Sequence, residues 1–287
     1  MVEKNFIVSY EDSAKVWTVQ WKWAAGEEPG HLFNGIAEYH VPVTARMEYE
    51  SDLEKWINEG WLLPYNEKEF GKPKGLIPLM AVVQKNKGKV RPVLDYRELN
   101  THMETHTADA DVCANTLREW RQMGCNVALL DLRKAYLQIR VHRSLWPYQT
   151  VFFRGKRYCL TRLGFGLNIA PMVMKVVVSE VLKQNGVIKG ADSPYVDNIL
   201  VNEDVVTSDV VDCHLRQFGL ECNPAQRVVD GVRVLGLRVG GRRVGGESVL
   251  QWRRDNNINE APMPLTRRSL FSWCGQLVGH LPVCGWL

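Results

Sequence analysis

Val127-Ala-Leu-Leu-Asp-Leu-Arg-Lys-Ala-Tyr136 and, further on, Tyr195-Val-Asp-Asn-Ile-Leu-Val201 decide how this chain is read. The four apolar residues Val127 to Leu130 read as a buried strand that ends in Asp131. Tyr-Val-Asp-Asn reads as a turn that feeds a second apolar strand, Ile199 to Val201. Asp131 and Asp197 thus sit at the ends of apolar strands, where desolvating a carboxylate is costly unless a cation or donor compensates. Two such carboxylates on one sheet suit Mg²⁺, which prefers hard oxygen ligands and fills its remaining positions with water and phosphate oxygens. Taken singly, each aspartate also has a plainer reading as a turn or cap residue.

Outward from this pair, strands and helices interleave without a βαβ rhythm, so the expected class is α+β rather than doubly wound. Upstream, Val16-Trp-Thr-Val-Gln-Trp-Lys-Trp23 alternates as a strand or hairpin does. Tyr49, Leu53, Trp56 and Ile57 predict a helix over 46–59 closed by Gly60. Residues 79–84 and 90–95 predict paired strands, with Asn86-Lys-Gly-Lys89 as their turn. Cys113 to Arg121 reads as a short helix, and Leu137 to Val141 as strand-like alternation. Downstream come a hairpin across Arg154-Gly-Lys156 and a helix from Ile169 to Lys183 with Pro171 in its first turn. Residues 232–245 read as a hairpin with Gly240-Gly241 and Gly245-Gly246 at its bends, and Leu270 to Leu277 as a helix.

Composition narrows the classes further. Of 287 residues, 45% are hydrophobic, enough for a real core. The net charge of +4 permits a nucleic-acid partner without arguing for one. Met1-Val-Glu-Lys opens into mixed polar sequence with no apolar secretory core. No apolar run approaches the roughly 18 residues of a membrane span, so no membrane partner is expected. The seven cysteines are scattered and never spaced CxxC, which fits buried thiols in a reducing compartment. Cys213-His214 has no second pair to complete a zinc site.

Four segments in order, Val90-Arg-Pro-Val-Leu-Asp-Tyr-Arg-Glu-Leu-Asn100, Asp131-Leu-Arg-Lys-Ala-Tyr136, Leu163-Gly-Phe-Gly-Leu-Asn-Ile-Ala-Pro171 and Tyr195-Val-Asp-Asn198, resemble the reverse transcriptases of retroviruses and long-terminal-repeat retroelements. Trp56-Ile-Asn-Glu-Gly-Trp61 and Leu76-Ile-Pro-Leu-Met80 look like the lead-in to such enzymes, so the likeness runs from about Glu48 to Leu250. It implies an RNA-directed DNA polymerase of right-hand fold, using two Mg²⁺ ions (Mn²⁺ as a substitute), dNTPs, and a primed RNA or DNA template. It further implies an intracellular setting, in cytoplasm or a virus-like particle, and the remainder of a pol polyprotein as partner. The implied organisation is a Trp-rich segment at 1–45, fingers at 46–105 and 140–168, palm over the rest of 106–245, and the start of a thumb at 246–287.

Residue by residue, the resemblance makes Asp131 and Asp197 the metal ligands, with Asn198 beside them in the catalytic turn. Tyr136 would lie under the incoming sugar, where its ring excludes a 2′-hydroxyl. Lys85 and Arg91 would reach the triphosphate, the arginine as a bidentate donor and the lysine as a point charge. Phe165 and Gly166 would line the nucleotide pocket, and Gly236 in Val234-Leu-Gly-Leu237 would belong to the hairpin that grips the primer.

The departures are equally specific. Relatives carry a second aspartate where this chain has Asn198, which offers one neutral oxygen and no charge. Pro194 precedes the turn in what should be a paired strand, where it removes a donor. Gly164 stands where proline is usual, and Asn168 where lysine is frequent. The expectation is a polymerase core impaired at its metal site, or an inactive remnant that still binds nucleic acid or a protein partner.

Overall fold

The computed structural model describes the chain except residues 33–34, 85–87, 105–111, 236, 255–259 and 279–287, with 112–115 and 278 described by backbone alone. Lys85, Gly236 and part of the turn at 86–89 therefore lie outside the described residues.

In chain order the elements begin with β1 (Phe6–Glu11), β2 (Val16–Trp21), α1 (Val43–Asn58), β3 (Leu62–Pro64), α2 (Glu67–Phe70), β4 (Leu79–Gln84), β5 (Lys89–Leu94) and α3 (Arg97–Thr101). Then come α4 (Val112–Gln122), β6 (Val127–Asp131), β7 (Arg140–Val141), β8 (Thr150–Phe153), β9 (Lys156–Leu160), α5 (Ala170–Lys183), α6 (Gly186–Ala191), β10 (Asp192–Tyr195) and β11 (Asn198–Asn202). The last are α7 (Ser208–Gln217), β12 (Gln226–Arg227), β13 (Val232–Val234), β14 (Leu237–Val244), β15 (Glu247–Arg253) and α8 (Arg267–Val278). The fold is α+β, as the patterning implied, with almost all strand pairing antiparallel.

Contacts divide the chain into two compact units. The first comprises Met1–Thr107, Lys134–Glu180 and Arg216–Glu221. Its Trp-rich N-terminus forms the β1–β2 hairpin, extended by parallel pairing of β2 with β7. Alternation buries Trp17, Val19 and Trp21 on one face and leaves Thr18 and Gln20 on the other. The Trp17 indole donates to the Phe218 carbonyl at 2.9 Å, and Tyr10 packs on the Phe218 ring. Gly219 is required there, because a Cβ would fall 1.9 Å from the Lys15 carbonyl. Helix α1 starts three residues before the 46–59 expectation because Pro42 already serves as its N-cap, and it buries Ala45, Tyr49 and Leu53 along one stripe.

The second unit comprises Ala108–Arg133, Val181–Leu215 and Cys222–Leu287. Its central sheet has the order β10-β11-β6-β12. Trp120, Val127, Leu129, Leu200, Val228, Val232, Val234 and Val239 form one apolar cluster against it. β6 is buried on both faces up to Leu130 and emerges only at Asp131, which is why four apolar residues precede the carboxylate without alternation.

Three local expectations are corrected. Leu137 to Val141 is not one strand, since Leu137 and Ile139 donate three residues back to Lys134 and Tyr136, making a 3-10 turn over Ala135–Gln138 before β7. Gly240 and Gly241 lie inside β14 rather than at a bend; a Cβ on Gly241 would meet the Val229 carbonyl at 3.2 Å, so these glycines permit close packing. Only Gly245-Gly246 turns the chain, and β15 adds a third strand to that sheet. Helix α7 had no counterpart in the sequence reading, although Thr207 caps its first turn and Val211, His214 and Leu215 recur at helical spacing; its two adjacent β-branched valines weaken that signal.

Candidate active site

β6 and β11 pair antiparallel in a register that sets Asn198 directly opposite Asp131. Directly opposed residues project from the same face, with Cβ atoms about 5 Å apart. Asp197 belongs to the two-residue turn that joins β10 to β11, and its carbonyl accepts from the Leu132 amide at 2.9 Å. Both predicted carboxylates are therefore brought to one end of one sheet.

The turn itself is strained. Val196 has φ of 56°, the sign demanded at the first position of a II′ hairpin turn, where glycine is usual. A β-branched residue in that region is costly and persists only when its surroundings over-determine it. The Tyr195–Asn198 and Asp131–Asn198 pairings do so.

Pro194 does not break the ladder. A two-residue turn makes Tyr195–Asn198 a hydrogen-bonded pair and Pro194–Ile199 the following non-hydrogen-bonded one. The N–H that proline lacks would have pointed away from β11, and β10 is the edge of the sheet.

Each carboxylate receives an asparagine amide. Asn198 Nδ2 donates to Asp197 Oδ1 at 3.0 Å. Asn223 Nδ2 donates to Asp131 Oδ2 at 2.8 Å, while the Asn223 backbone N–H reaches the Asp131 carbonyl, also at 2.8 Å. Asn223 has no signal in the sequence: it lies 92 residues from Asp131, in Cys222-Asn-Pro, just before a strand of only two residues.

Magnesium can be held by as few as one or two carboxylates, with water and phosphate completing the shell. Asp131 and Asp197 meet that requirement, and the neutral Asn198 oxygen adds a weak ligand. Among the described residues no group of three or more His, Cys, Asp or Glu side chains gathers, here or around Cys213-His214. The donor set therefore fits a divalent ion but carries one charge fewer than a three-carboxylate site.

The remaining described candidates lie in the first unit. Tyr136, on the 3-10 turn, packs against Phe165 with ring centroids 5.4 Å apart. Phe165 is 63% exposed, so its ring presents an open aromatic surface. Gly166 has φ of 104°, and its carbonyl accepts from Asn100 Nδ2 at 2.9 Å. Asn100 Oδ1 in turn accepts from the Asn168 backbone N–H, so one side chain of α3 ties both ends of the Gly166–Asn168 stretch. Gly164 is dictated by Tyr96: a Cβ there would lie 2.0 Å from the Tyr96 hydroxyl. That hydroxyl donates to Gln149, and burial pushes the phenol well above its ordinary range. Arg91 is exposed on β5, opposite Val82. Near it in sequence, the Arg97 guanidinium and the Tyr39 hydroxyl hold Asp95 well below the usual carboxylate range.

Comparison with known proteins gives concordant results. Residues 83–225 match the model of the family described as reverse transcriptase (RNA-dependent DNA polymerase), and residues 266–287 match a domain of unknown function. The retrovirus-related Pol polyprotein from transposon opus of Drosophila melanogaster is 26% identical over 166 residues, which cover 57% of this chain and 16% of that protein. The prototype foamy virus protease–reverse transcriptase superposes with a TM-score of 0.59 at 21% identity, over 90% of this chain and 33% of that one. The foamy viral protease–reverse transcriptase in complex with an RNA/DNA hybrid gives 0.62 at 18%, over 88% and 34%, and its dRH form with double-stranded DNA gives 0.64 at 19%, over 88% and 44%. This chain thus spans less than half of each of these relatives.

Proposed function

Residues 83–225 of this chain belong to the reverse transcriptase family, and from that premise we propose that the chain is the core of an RNA-directed DNA polymerase whose metal site is weakened by Asn198. The observation that carries the proposal is the register of β6 and β11, which sets Asp131 opposite Asn198 and ties the Asp197 carbonyl to the next residue of the Asp131 segment. Asp131 and Asp197 would hold Mg²⁺, or Mn²⁺ in its place, as a pair of ions shared with the phosphates of a dNTP. Bound there, the ions supply Lewis acidity toward a primer 3′-hydroxyl and the leaving pyrophosphate.

The protein's own part is positioning. Asn223 orients Asp131, the strained Val196 turn presents Asp197, and both carboxylates are fixed before substrate arrives. Tyr136 would select the deoxyribose, with Phe165 and Gly166 beside the templating base and Lys85 and Arg91 on the triphosphate. Gly236 would contact the primer, on a primed RNA or DNA template. In this reading 46–105 and 140–168 act as fingers, the rest of 106–245 as palm, and 246–287 as the start of a thumb within a longer pol polyprotein.

A second reading, a catalytically silent nucleic-acid- or protein-binding chain, is favoured by one observation: the Asn198 amide is spent on Asp197. Primer extension on an RNA template with dNTPs and Mg²⁺, comparing the chain with Asn198→Asp, separates the two. Extension by the substituted chain alone supports a disabled polymerase. Extension by neither folded protein supports the silent reading.

A further inference from the structure

On the solvent face of the β1–β2–β7 sheet, Ser9, Thr18 and Arg140 lie in one row, each directly opposite or alongside the next. The row is continued by Arg162, which forms an antiparallel bridge with Arg140. The hydrogen bonds of that bridge run between its neighbours, Val141 N–H to the Thr161 carbonyl and Leu163 N–H to the Ile139 carbonyl. Arg140 and Arg162 are therefore a non-hydrogen-bonded pair, the arrangement with Cα atoms only about 4.5 Å apart and side chains closest. Like charges directly opposite across strands are destabilising. Among the described residues no carboxylate neutralises them: neither arginine takes part in an ion pair or side-chain hydrogen bond, and the Arg162 Nε is sealed from solvent without a partner. Burial, and then the Arg140 charge, pull the Arg162 guanidinium down to about 10.

A fold that brings two guanidiniums together beside two hydroxyls, with no acid between them, is arranged for an anion with several acceptor oxygens. We propose that Arg140 and Arg162, with Thr18 and Ser9 alongside, form a phosphate-binding site on the first unit. Guanidinium forks match phosphate oxygens bidentately, and two forks on one phosphate remove the repulsion between them. The phosphate is carried either by a nucleic-acid backbone or by a free phosphate compound. It shares no residue with the carboxylate pair, and its test involves no turnover.

The test compares the unmodified chain with Arg140→Gln, Arg162→Gln and the double variant. Anisotropy of a short labelled DNA duplex is followed across a salt series, and melting is followed in inorganic phosphate against chloride of matched ionic strength. The expected result is three- to ten-fold weaker duplex binding for each single variant, an approximate range for a lost charged contact, and a salt slope lower by about 1 for the double variant. A response to duplex without one to inorganic phosphate assigns the backbone source, and a response to both extends the site to free phosphates. A response to inorganic phosphate alone assigns free phosphate compounds and removes the backbone. Arg140 is exposed, so Arg140→Gln should fold even if Arg162→Gln does not. If folded Arg140→Gln binds duplex with unchanged affinity and slope, and phosphate stabilises it as much as the unmodified chain, the proposal is overturned. Neither result alters the reading of Asp131 and Asp197.

Discussion

Asn198→Asp is the perturbation for which the structure yields a number. The new carboxylate would stand opposite Asp131 and next to Asp197 in an unchanged register. At about 4 Å and an effective dielectric near 20, one added negative charge gains about 8 kcal/mol against a divalent ion. Repulsion from two aspartates at about 6 Å costs roughly 3 kcal/mol each on the same scale. The ion-loaded fold therefore gains about 2–3 kcal/mol. The repulsion is present with and without the ion and cancels from cation affinity, which rises by at least about 100-fold, as does any rate limited by it. Without the cation only the repulsion remains, so the substituted chain should melt lower than the original in chelator and recover when Mg²⁺ is added. Three readouts follow: Mn²⁺ binding from the free-ion resonance signal, melting with and without Mg²⁺, and single-nucleotide extension on a primed RNA template. A folded Asn198→Asp protein that binds Mn²⁺ no more tightly, and whose melting ignores Mg²⁺, would refute the assignment of these residues as a metal site. Tight Mn²⁺ binding without extension would keep the site and reject the activity.

Three further outcomes are expected. Asn223→Ala should lower divalent-ion affinity about ten-fold while costing only about 1 kcal/mol of stability; an unchanged Mn²⁺ titration would show that the amide does not orient Asp131. Gly164→Ala should lower the urea midpoint by the equivalent of about 2–3 kcal/mol, because its Cβ has no room beside Tyr96, and a midpoint equal to the parent's would show that the loop adjusts freely. Burial pushes the Asp192 carboxyl up to about 6, with Oδ1 unpartnered among the described residues. Its folded value lies above the unfolded one of about 4, so the stability tied to the protonated form is complete below about pH 4 and lost as pH rises through the folded value. Asp192→Asn should thus be more stable than the parent at neutral pH by about 1 kcal/mol after allowing for solvent screening, with the gap closing in acid. Parallel pH–stability curves would contradict that.

What was legible in the sequence was whatever short-range pattern encodes. Val127 to Asp131 and Tyr195 to Val201 declare two strands with charged ends, and the structure brings those ends together. The asparagine partner of Asp131 was illegible because nothing near Asn223 in the chain resembles a site; the bond exists only once β6 is paired. Gly240-Gly241 misled because glycine permits both turning and close approach, and only the position of Val229 decides between them. Pro194 misled because its cost depends on which side of the strand its nitrogen faces, which is fixed by the turn and not by the residue. The N-terminal tryptophans gave a hairpin but no purpose. Their role in gripping Phe218 and in supporting the strand that carries Arg140 arises from contacts roughly 120 to 200 residues apart in sequence, beyond any local periodicity.

The tight hairpin at Val196-Asp197 has one more consequence, and it is genetic. Its backbone already adopts the paired register with Asn198 in place, and the amide and the carboxylate are nearly isosteric. Asparagine and aspartate codons differ by one transition at their first base. A lineage carrying this sequence would therefore stand a single nucleotide from a two-aspartate turn facing Asp131, with the backbone register already in place. An exchange of amide for carboxylate at this position is reversible, unlike a deletion or a frameshift, and the folded scaffold keeps it accessible.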